Sequence, residues 1–390
     1  MVADRKWVEK NLGFDPISTP PPPDTFSVSR VAKAAVKRSA KASAEDFQRE
    51  IIDFDSEGPV GQRFFAFSTA TGLSRFTDIP WPAGLAPKTG PKPKGTGKGP
   101  LPKADVLLVT WTVDERHALS RVLTPGTDSR NDYVPYTHNF AKIAKKMRKG
   151  CPALQAKRLG AFWTTTIGKK SVVVFKSDSH MSQDGPKLPN IDVWRQLIRE
   201  VKPKLVITTG TAGGIGKQFE VGDVIVSPIV RFDCLSKFKK QPFAQEHFSS
   251  KPAVKKKFAQ AKTLFKANAG QLPKTNTRPP KIFVVAPSGL SSSVVTTDFF
   301  GFDTSDNHFG LQGLGDVSEM GDAILGLVAQ EMGAKAPRWL AIRNVSDPQI
   351  KAEGTLKQQE QVAAQIYKGF GRWSSVCSAI TCWASIVAEP

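Results

Sequence analysis

Three glycines fall within five positions in Thr209-Gly210-Thr211-Ala212-Gly213-Gly214-Ile215, directly after an apolar run. Glycine at such a place lets backbone N–H groups approach an anion or a sugar closely. The segment is not a Walker loop, because no Gly-Lys-Ser/Thr follows it, and GxGxxG spacing is absent. A plain tight turn explains the glycines equally well. The other groups with chemical potential are scattered: Glu115, Phe300, the stretch Glu319-Met320-Gly321-Asp322, Arg343, and the pair Ser346-Asp347. Each has an ordinary explanation too. Glu115 suits the first turn of a helix, where the macrodipole favours an acid. Asp347 precedes Pro348 and suits a turn. Phe300 and Met320 suit a core.

These residues need a scaffold, and ordered patterning starts at Asp105. Val106–Thr110 is a short continuous apolar run, as expected of a strand buried on both faces. Asp114–Leu123 follows as a helix. Further strands are expected at Ser171–Lys176, Leu205–Thr209, Asp223–Ser227, Lys281–Val285 and Trp339–Arg343, with helices at Ile191–Val201, Val317–Met332 and Gln359–Ile386. Strands alternating with helices predict an α/β fold with a mixed, mostly parallel central sheet flanked by helices. Ligands of open α/β sheets bind beyond the carboxyl ends of the strands. That directs attention to Thr110–Glu115, Thr209–Gly214, Thr296–Phe302 and Asn344–Asp347.

The chain has 390 residues, 40% hydrophobic and 23% charged, which is enough for a sizeable core. Residues 1–104 do not read as a packed domain. They hold a polyproline stretch at Thr19–Pro23, a basic helix candidate at Val31–Arg49, aromatics without a period at Gln62–Phe76, and a Gly/Pro/Lys linker at Pro87–Pro100. The domain boundary is placed at 104, leaving a largely irregular, basic N-terminal extension before a domain over 105–390. No run of 18 apolar residues exists, so a membrane-spanning helix is excluded, and no apolar segment marks a signal peptide. Four cysteines without CxxC spacing argue against disulfides or zinc and fit a reducing cytosol.

The net charge is +20, and it is concentrated: Arg231–Lys281 holds 13 basic and 2 acidic residues. Such a balance points to polyanions or a phosphorylated substrate, although a solvated surface is the commoner fate of a charge run. Nucleic acid is a competing partner for this insert and the tail, and it is disfavoured because aromatics interleave only sparsely there.

Read together, Thr209–Ile215 and Val221-Gly222-Asp223-Val224-Ile225-Val226-Ser227 resemble the core signature of the nucleoside phosphorylase / nucleosidase superfamily. Val109–Glu115, Thr296–Phe300, Ser318–Ala323 and Ile342–Asp347 resemble further segments of that family, in order, so the likeness spans about 105–388. The resemblance implies a three-layer α/β domain that cleaves the N-glycosidic bond of a purine nucleoside or nucleotide. It implies Asp347 as the acid that protonates the leaving base, oriented by Ser346, and Glu115 as the water-activating base. It implies a substrate cradle of Thr209, Gly210, Thr211, Ala212 and Gly213, with Phe300 against the base, Met320 under the sugar, and Arg343 nearby. No cofactor and no metal are implied. A homo-oligomer is implied, because members of the family share a site across a subunit contact.

Two features of the resemblance bear on the reaction. Thr208 stands where phosphate-binding members carry arginine, which favours hydrolysis over a phosphate-dependent phosphorylase. Gly321 stands where the family places the glutamate that grips the ribose, so Glu319 or Asp322 is expected to take the sugar hydroxyls instead. If neither does, the site binds a different sugar, or holds a nucleotide without cleaving it.

Overall fold

The computed structural model describes residues 1–12, 78–93, 97–251, 258–286 and 289–389. The polyproline stretch, the helix expected at Val31–Arg49 and the Gln62–Phe76 segment lie outside them. In chain order the strands are β1 Val2–Ala3, β2 Lys88–Thr89, β3 Val106–Thr110, β4 Val134–Tyr136, β5 Gly160–Ile167, β6 Lys170–Ser177, β7 Leu205–Gly214, β8 Val224–Ser227, β9 Ile229–Asp233, β10 His247–Ser249, β11 Ile282–Val284, β12 Val294–Thr297, β13 Val317–Glu319, β14 Arg338–Asp347 and β15 Gln349–Ile350. The principal helices are α1 Arg5–Leu12, α2 Val113–Leu123, α3 Pro189–Val201, α4 Phe258–Leu264, α5 Asp322–Met332 and α6 Leu356–Ala388.

The fold is α/β around one large mixed sheet. Its centre is parallel: β6, β3, β7 and β14 run the same way. Antiparallel pairs border it, with β5 beside β6 and β8 beside β14. Val106, Leu107 and Leu108 of β3 and Leu205, Val206 and Ile207 of β7 are fully buried. The unbroken apolar runs therefore mark strands covered on both faces by helices. Burial of each such side chain contributes about 1.5–3 kcal/mol.

The sheet forks at β7, and the fork makes the site. Leu205–Thr208 pair with β3, while Gly213 and Gly214 pair with β13. Between them, from Thr209 to Ala212, β7 has no strand on that side among the described residues. On the other side β14 follows β7 along its length, from Arg338 opposite Leu205 to Asp347 opposite Gly213. A crevice opens where β3 stops short of β13, as sheet topology requires at such a divergence.

Val317–Met332 is corrected by the structure. Val317–Glu319 is a strand between β12 and β7, and the helix begins only at Asp322. Gly321 is a poor helix former. The Glu319 carboxylate accepts the N–H groups of Gly321 (2.6 Å) and Asp322 (2.9 Å), which satisfies the helix end at Asp322. The apolar residues that mimicked one helical stripe belong to two different elements.

The ends of the first 104 residues are built into the fold. β1 pairs with β15, immediately after Asp347 and Pro348, and Trp7 meets Phe370 of α6 edge-on at 6.0 Å. β2 pairs with β5, and Trp81 packs on Trp383 at 4.8 Å. The described parts of the basic insert are also folded onto the body. Phe238, Phe243, Phe248 and Phe265 are buried, whereas Lys237, Lys239, Lys240, Lys251, Lys262 and Lys266 are exposed. Within the insert, α4 covers Phe258–Leu264 and gives way to a 3-10 turn over Phe265–Gln271. The four cysteines are buried, and no disulfide joins them. No helix among the described residues is long and apolar enough to cross a membrane.

Candidate active site

The crevice beside β7 is a cavity whose wall includes Glu115, Thr211, Ala212, Gly213, Phe300, Glu319, Met320, Arg343, Ser346 and Asp347. All four segments singled out for their place after a strand contribute to it. Thr209, Gly210 and Asp322 do not line it. Thr209 is buried within β7, Gly210 lies against Glu115, and Asp322 stands behind the wall on Arg343.

Glu115 sits in the first turn of α2, and the ordinary and the chemical explanations of it coincide. It forms a capping box with Thr112, and Thr112 N–H donates to its Oε2 at 2.8 Å. Oε2 also accepts Trp111 N–H (2.9 Å) and the Thr110 hydroxyl (2.7 Å). Oε1 crosses the crevice to accept the N–H and the hydroxyl of Thr211, both at 2.8 Å. Burial alone would raise its pKa, but Arg343 and these donors outweigh burial and hold Glu115 below the usual range. Gly210 makes room for it. Its φ is +147°, and a Cβ there would lie 2.3 Å from Glu115 Oε1.

Asp347 faces the opposite balance. Burial pushes it up to about 6, opposed only by the Ser346 hydroxyl, which donates to Oδ1 at 2.7 Å. The two neighbours share one side of β14 because the strand is bulged. Val345 pairs with Ala212 and Asp347 with Gly213, leaving Ser346 as the extra residue. Adjacent residues of a regular strand point to opposite faces, and a bulge re-aims them. Gly213 lets the carboxyl approach, since a Cβ there would sit 3.0 Å from Asp347 Oδ2.

Arg343 organises the third side. Nε donates to Asp322 Oδ2 at 2.8 Å and Nη2 to Asp322 Oδ1, giving a bidentate pair. Nη2 also lies 3.2 Å from Glu319 Oε2, and Nη1 reaches Thr211 O at 3.3 Å. Burial opposes the charge, but Asp322 and Glu319 raise the Arg343 pKa. Burial and the charge of Asp322 in turn raise Glu319. The acids expected to take sugar hydroxyls are thus engaged by Arg343 and by backbone N–H groups.

Sequence reasoning passed over Trp111, Thr112, His180, Gly301, Ser318 and Tyr367, which also line the cavity. Trp111 and Thr112 stand inside a segment that was singled out, whereas His180 and Tyr367 belong to no motif. Burial and neighbouring cations depress His180 to about 3, against the pull of Glu115, so the imidazole is neutral. Its Nδ1 accepts Ser182 N–H at 3.3 Å, which leaves the proton on Nε2. The Tyr367 hydroxyl donates to Thr112 Oγ1 at 3.2 Å.

The family model described as the phosphorylase superfamily matches residues 134–370. No curated protein matches the chain in sequence. Among solved structures, 5′-methylthioadenosine/S-adenosylhomocysteine nucleosidase from Neisseria meningitidis is similar, at 15% identity and a TM-score of 0.45, covering 72% of this chain and 97% of that one. The nucleosidase of the same name from Helicobacter pylori has 14% identity and a TM-score of 0.46, over 73% and 98%. Futalosine hydrolase of Helicobacter pylori has 13% identity and a TM-score of 0.44, over 72% and 97%.

Proposed function

The chain belongs to the phosphorylase superfamily, and from that premise we propose that it hydrolyses the N-glycosidic bond of a purine nucleoside or nucleotide and releases the free base. One observation supports this above the others. Glu115 and Asp347 line a single cavity, and their surroundings push one carboxyl down and the other up. Two titratable groups separated in this way suit an anion and an acid working on one substrate.

In this reading Asp347 gives its proton to the departing base as the bond to the anomeric carbon breaks. The bonding electrons leave with the base, and the sugar becomes a cation. Phe300 lies against the base and Met320 under the sugar. Glu115 is the anion facing the sugar cation. Three of its five donors are fixed backbone N–H groups, but the hydroxyls of Thr110 and Thr211 can rotate and free a lone pair for water. Water oxygen then bonds to the anomeric carbon and its proton passes to Glu115. Exchange with solvent returns each acid to its starting state.

Water suits the cavity better than phosphate. Arg343 is the guanidinium in the wall, and its donors already serve Asp322 and Thr211 while Glu319 faces its charge. Thr208, where an arginine would stand, is buried within β7 with its hydroxyl toward Leu340 O at 3.4 Å. An anionic Glu115 would also repel a phosphate dianion. The phosphorylated alternative for the substrate has one support: Lys237 of the insert donates to Ser182 O at 3.3 Å, two residues beyond His180 in the wall.

The test is incubation with purine nucleosides and their 5′-monophosphates, with and without inorganic phosphate, over a series of salt concentrations. Free base and unphosphorylated pentose are expected without phosphate. A phosphate requirement with pentose 1-phosphate as product would overturn hydrolysis. A kcat/KM that falls more steeply with salt for the monophosphate than for the nucleoside would identify the nucleotide as substrate. A milder variant probes the acid itself. Ser346→Ala removes the hydrogen bond that lowers the Asp347 pKa, so the alkaline limb of the rate profile is expected to move to higher pH. The accompanying loss in kcat should be about tenfold, as for one charge-assisted hydrogen bond.

A further inference from the structure

Resting on the hydrolytic reading, we propose that the sugar wall of the cavity selects a 2′-deoxyribosyl substrate, with Trp111 and Gly321 as the pair that sets this specificity. A sugar hydroxyl enclosed by protein needs an acceptor for its proton, and a vicinal diol needs two. A carboxylate supplies about four lone-pair sites. Around Met320 those sites are already filled. Glu319 Oε1 accepts the Thr296 hydroxyl and Asp322 N–H, and Oε2 accepts Gly321 N–H and faces Arg343. The Thr296 hydroxyl cannot turn away cheaply, because its oxygen accepts Ala323 N–H at 2.9 Å. Asp322 has both oxygens on Arg343. The lone pairs that Glu115 can free are required by the attacking water. What remains is single hydroxyls such as that of Ser318, which already donates to Gly301 O at 2.9 Å.

Carbon faces Gly321 at van der Waals distance. A Cβ on Gly321 would lie 3.4 Å from Trp111 Cζ2 and 3.6 Å from Cε2. The indole is held there by Arg343 over its face at 4.9 Å and by the edges of His180 and Trp194. Trp111 is 3% exposed, and its Nε1–H has no hydrogen-bond partner among the described residues. An indole N–H only donates. This wall therefore offers apolar surface, which suits a methylene. It offers no charged acceptor for a 2′-hydroxyl.

Deoxyglycosides are also more labile in water, so binding must be separated from reactivity. C-nucleosides do this, because their carbon–carbon glycosidic bond is not cleaved. The probes are 9-deazaadenosine, 9-deazainosine and their 2′-deoxy counterparts, titrated into the full chain by calorimetry. The 2′-deoxy member of each pair is expected to bind tenfold or more tightly. In Trp111→Ala/Gly321→Glu, which supplies a carboxylate and the room for it, the ratio should shift at least tenfold toward the ribosides. Trp111→Phe, which keeps an aromatic ring in this wall, should retain the preference. Equal or tighter riboside binding by the wild type, or no binding of any probe, overturns the proposal. Base release from adenosine and 2′-deoxyadenosine is followed in parallel. Release with equal riboside and deoxyriboside binding leaves hydrolysis standing and removes this inference, and deoxyriboside-selective binding without release does the reverse.

Discussion

Asp347→Asn is expected to lower kcat for base release by about 10²–10⁴-fold while making the folded protein no less stable. The two halves have one cause. Burial holds the Asp347 carboxyl up near 6, so the folded chain keeps it protonated where an exposed aspartate would be ionised. As the proposed acid it must be protonated to act. Activity should be level below pH 6 and fall about tenfold per pH unit above it. Asn cannot give up a proton at any of these values, so the departing base must leave as an anion.

Stability runs the other way. A carboxyl whose folded pKa lies above its unfolded value of 3.8 binds more protons in the folded state, so stability falls as pH rises from about 4 to about 6. Above that window the cost is about 2–3 kcal/mol, on the basis of 1.36 kcal/mol per unit. Asn is neutral, fits the same space and can still accept from Ser346. Urea unfolding at pH 7 is therefore expected to show Asp347→Asn equal to or more stable than the wild type, and at pH 4 the difference should vanish. A variant that loses both activity and stability at pH 7 would mark Asp347 as a structural turn residue and remove it from the proposed chemistry.

The contrast between strand ends and everything packed on them explains what could be read in advance. Val106–Val109 and Leu205–Ile207 are apolar without interruption because the sheet is covered on both faces, and that pattern needs no tertiary knowledge. Since crevices form where such strands end, the stretches holding Glu115, Thr211 and Asp347 were identifiable. The short strands Ile229–Asp233, His247–Ser249 and Val294–Thr297 were not, because three to five residues carry too few repeats to distinguish a period. Val317–Met332 misled for a related reason, since an apolar stripe at helical spacing ran across a strand end and a glycine.

Side-chain pairing was further out of reach. That Arg343 engages both Glu319 in the wall and Asp322 behind it depends on β14 lying beside β7, and no local spacing expresses that. Tyr367 comes from a helix that returns to the site after the last strand of the sheet, and His180 from a turn after β6. Trp111 was in view from the start as part of Val109–Glu115. Only the packed structure sets its ring against Gly321.

Glu115→Gln is expected to remove activity and to destabilise the chain, the reverse of Asp347→Asn in the second respect. The carboxylate meets donors on both sides: three at Oε2 and two at Oε1, with Arg343 contributing its charge. An amide has one acceptor oxygen and one donor nitrogen. Whichever way the amide turns, its NH2 points at N–H groups. Facing the partners of Oε2 it opposes two fixed backbone donors, and facing those of Oε1 it opposes Thr211 N–H. At least one buried donor is left without an acceptor, at about 1–3 kcal/mol, and the charge that balances Arg343 is gone as well. A total loss of about 3–5 kcal/mol in urea unfolding at pH 7 follows, and it should shrink toward acid pH. The sign is fixed by the depressed pKa of Glu115, since such a group stabilises the fold above its unfolded value of 4.5 and that contribution is lost as pH falls through the lower folded value. Base release should drop about 10²–10⁴-fold, because neither the proton of water nor the sugar cation then meets an anion. The two losses are separable. Gly210→Ala leaves the carboxylate ionised but drives its Oε1 from a contact of 2.3 Å, so it should lower kcat strongly while the charge on Arg343 stays balanced. If Gly210→Ala retained full kcat, Glu115 would be a helix cap alone, and the anion facing the sugar would have to be sought elsewhere in the wall.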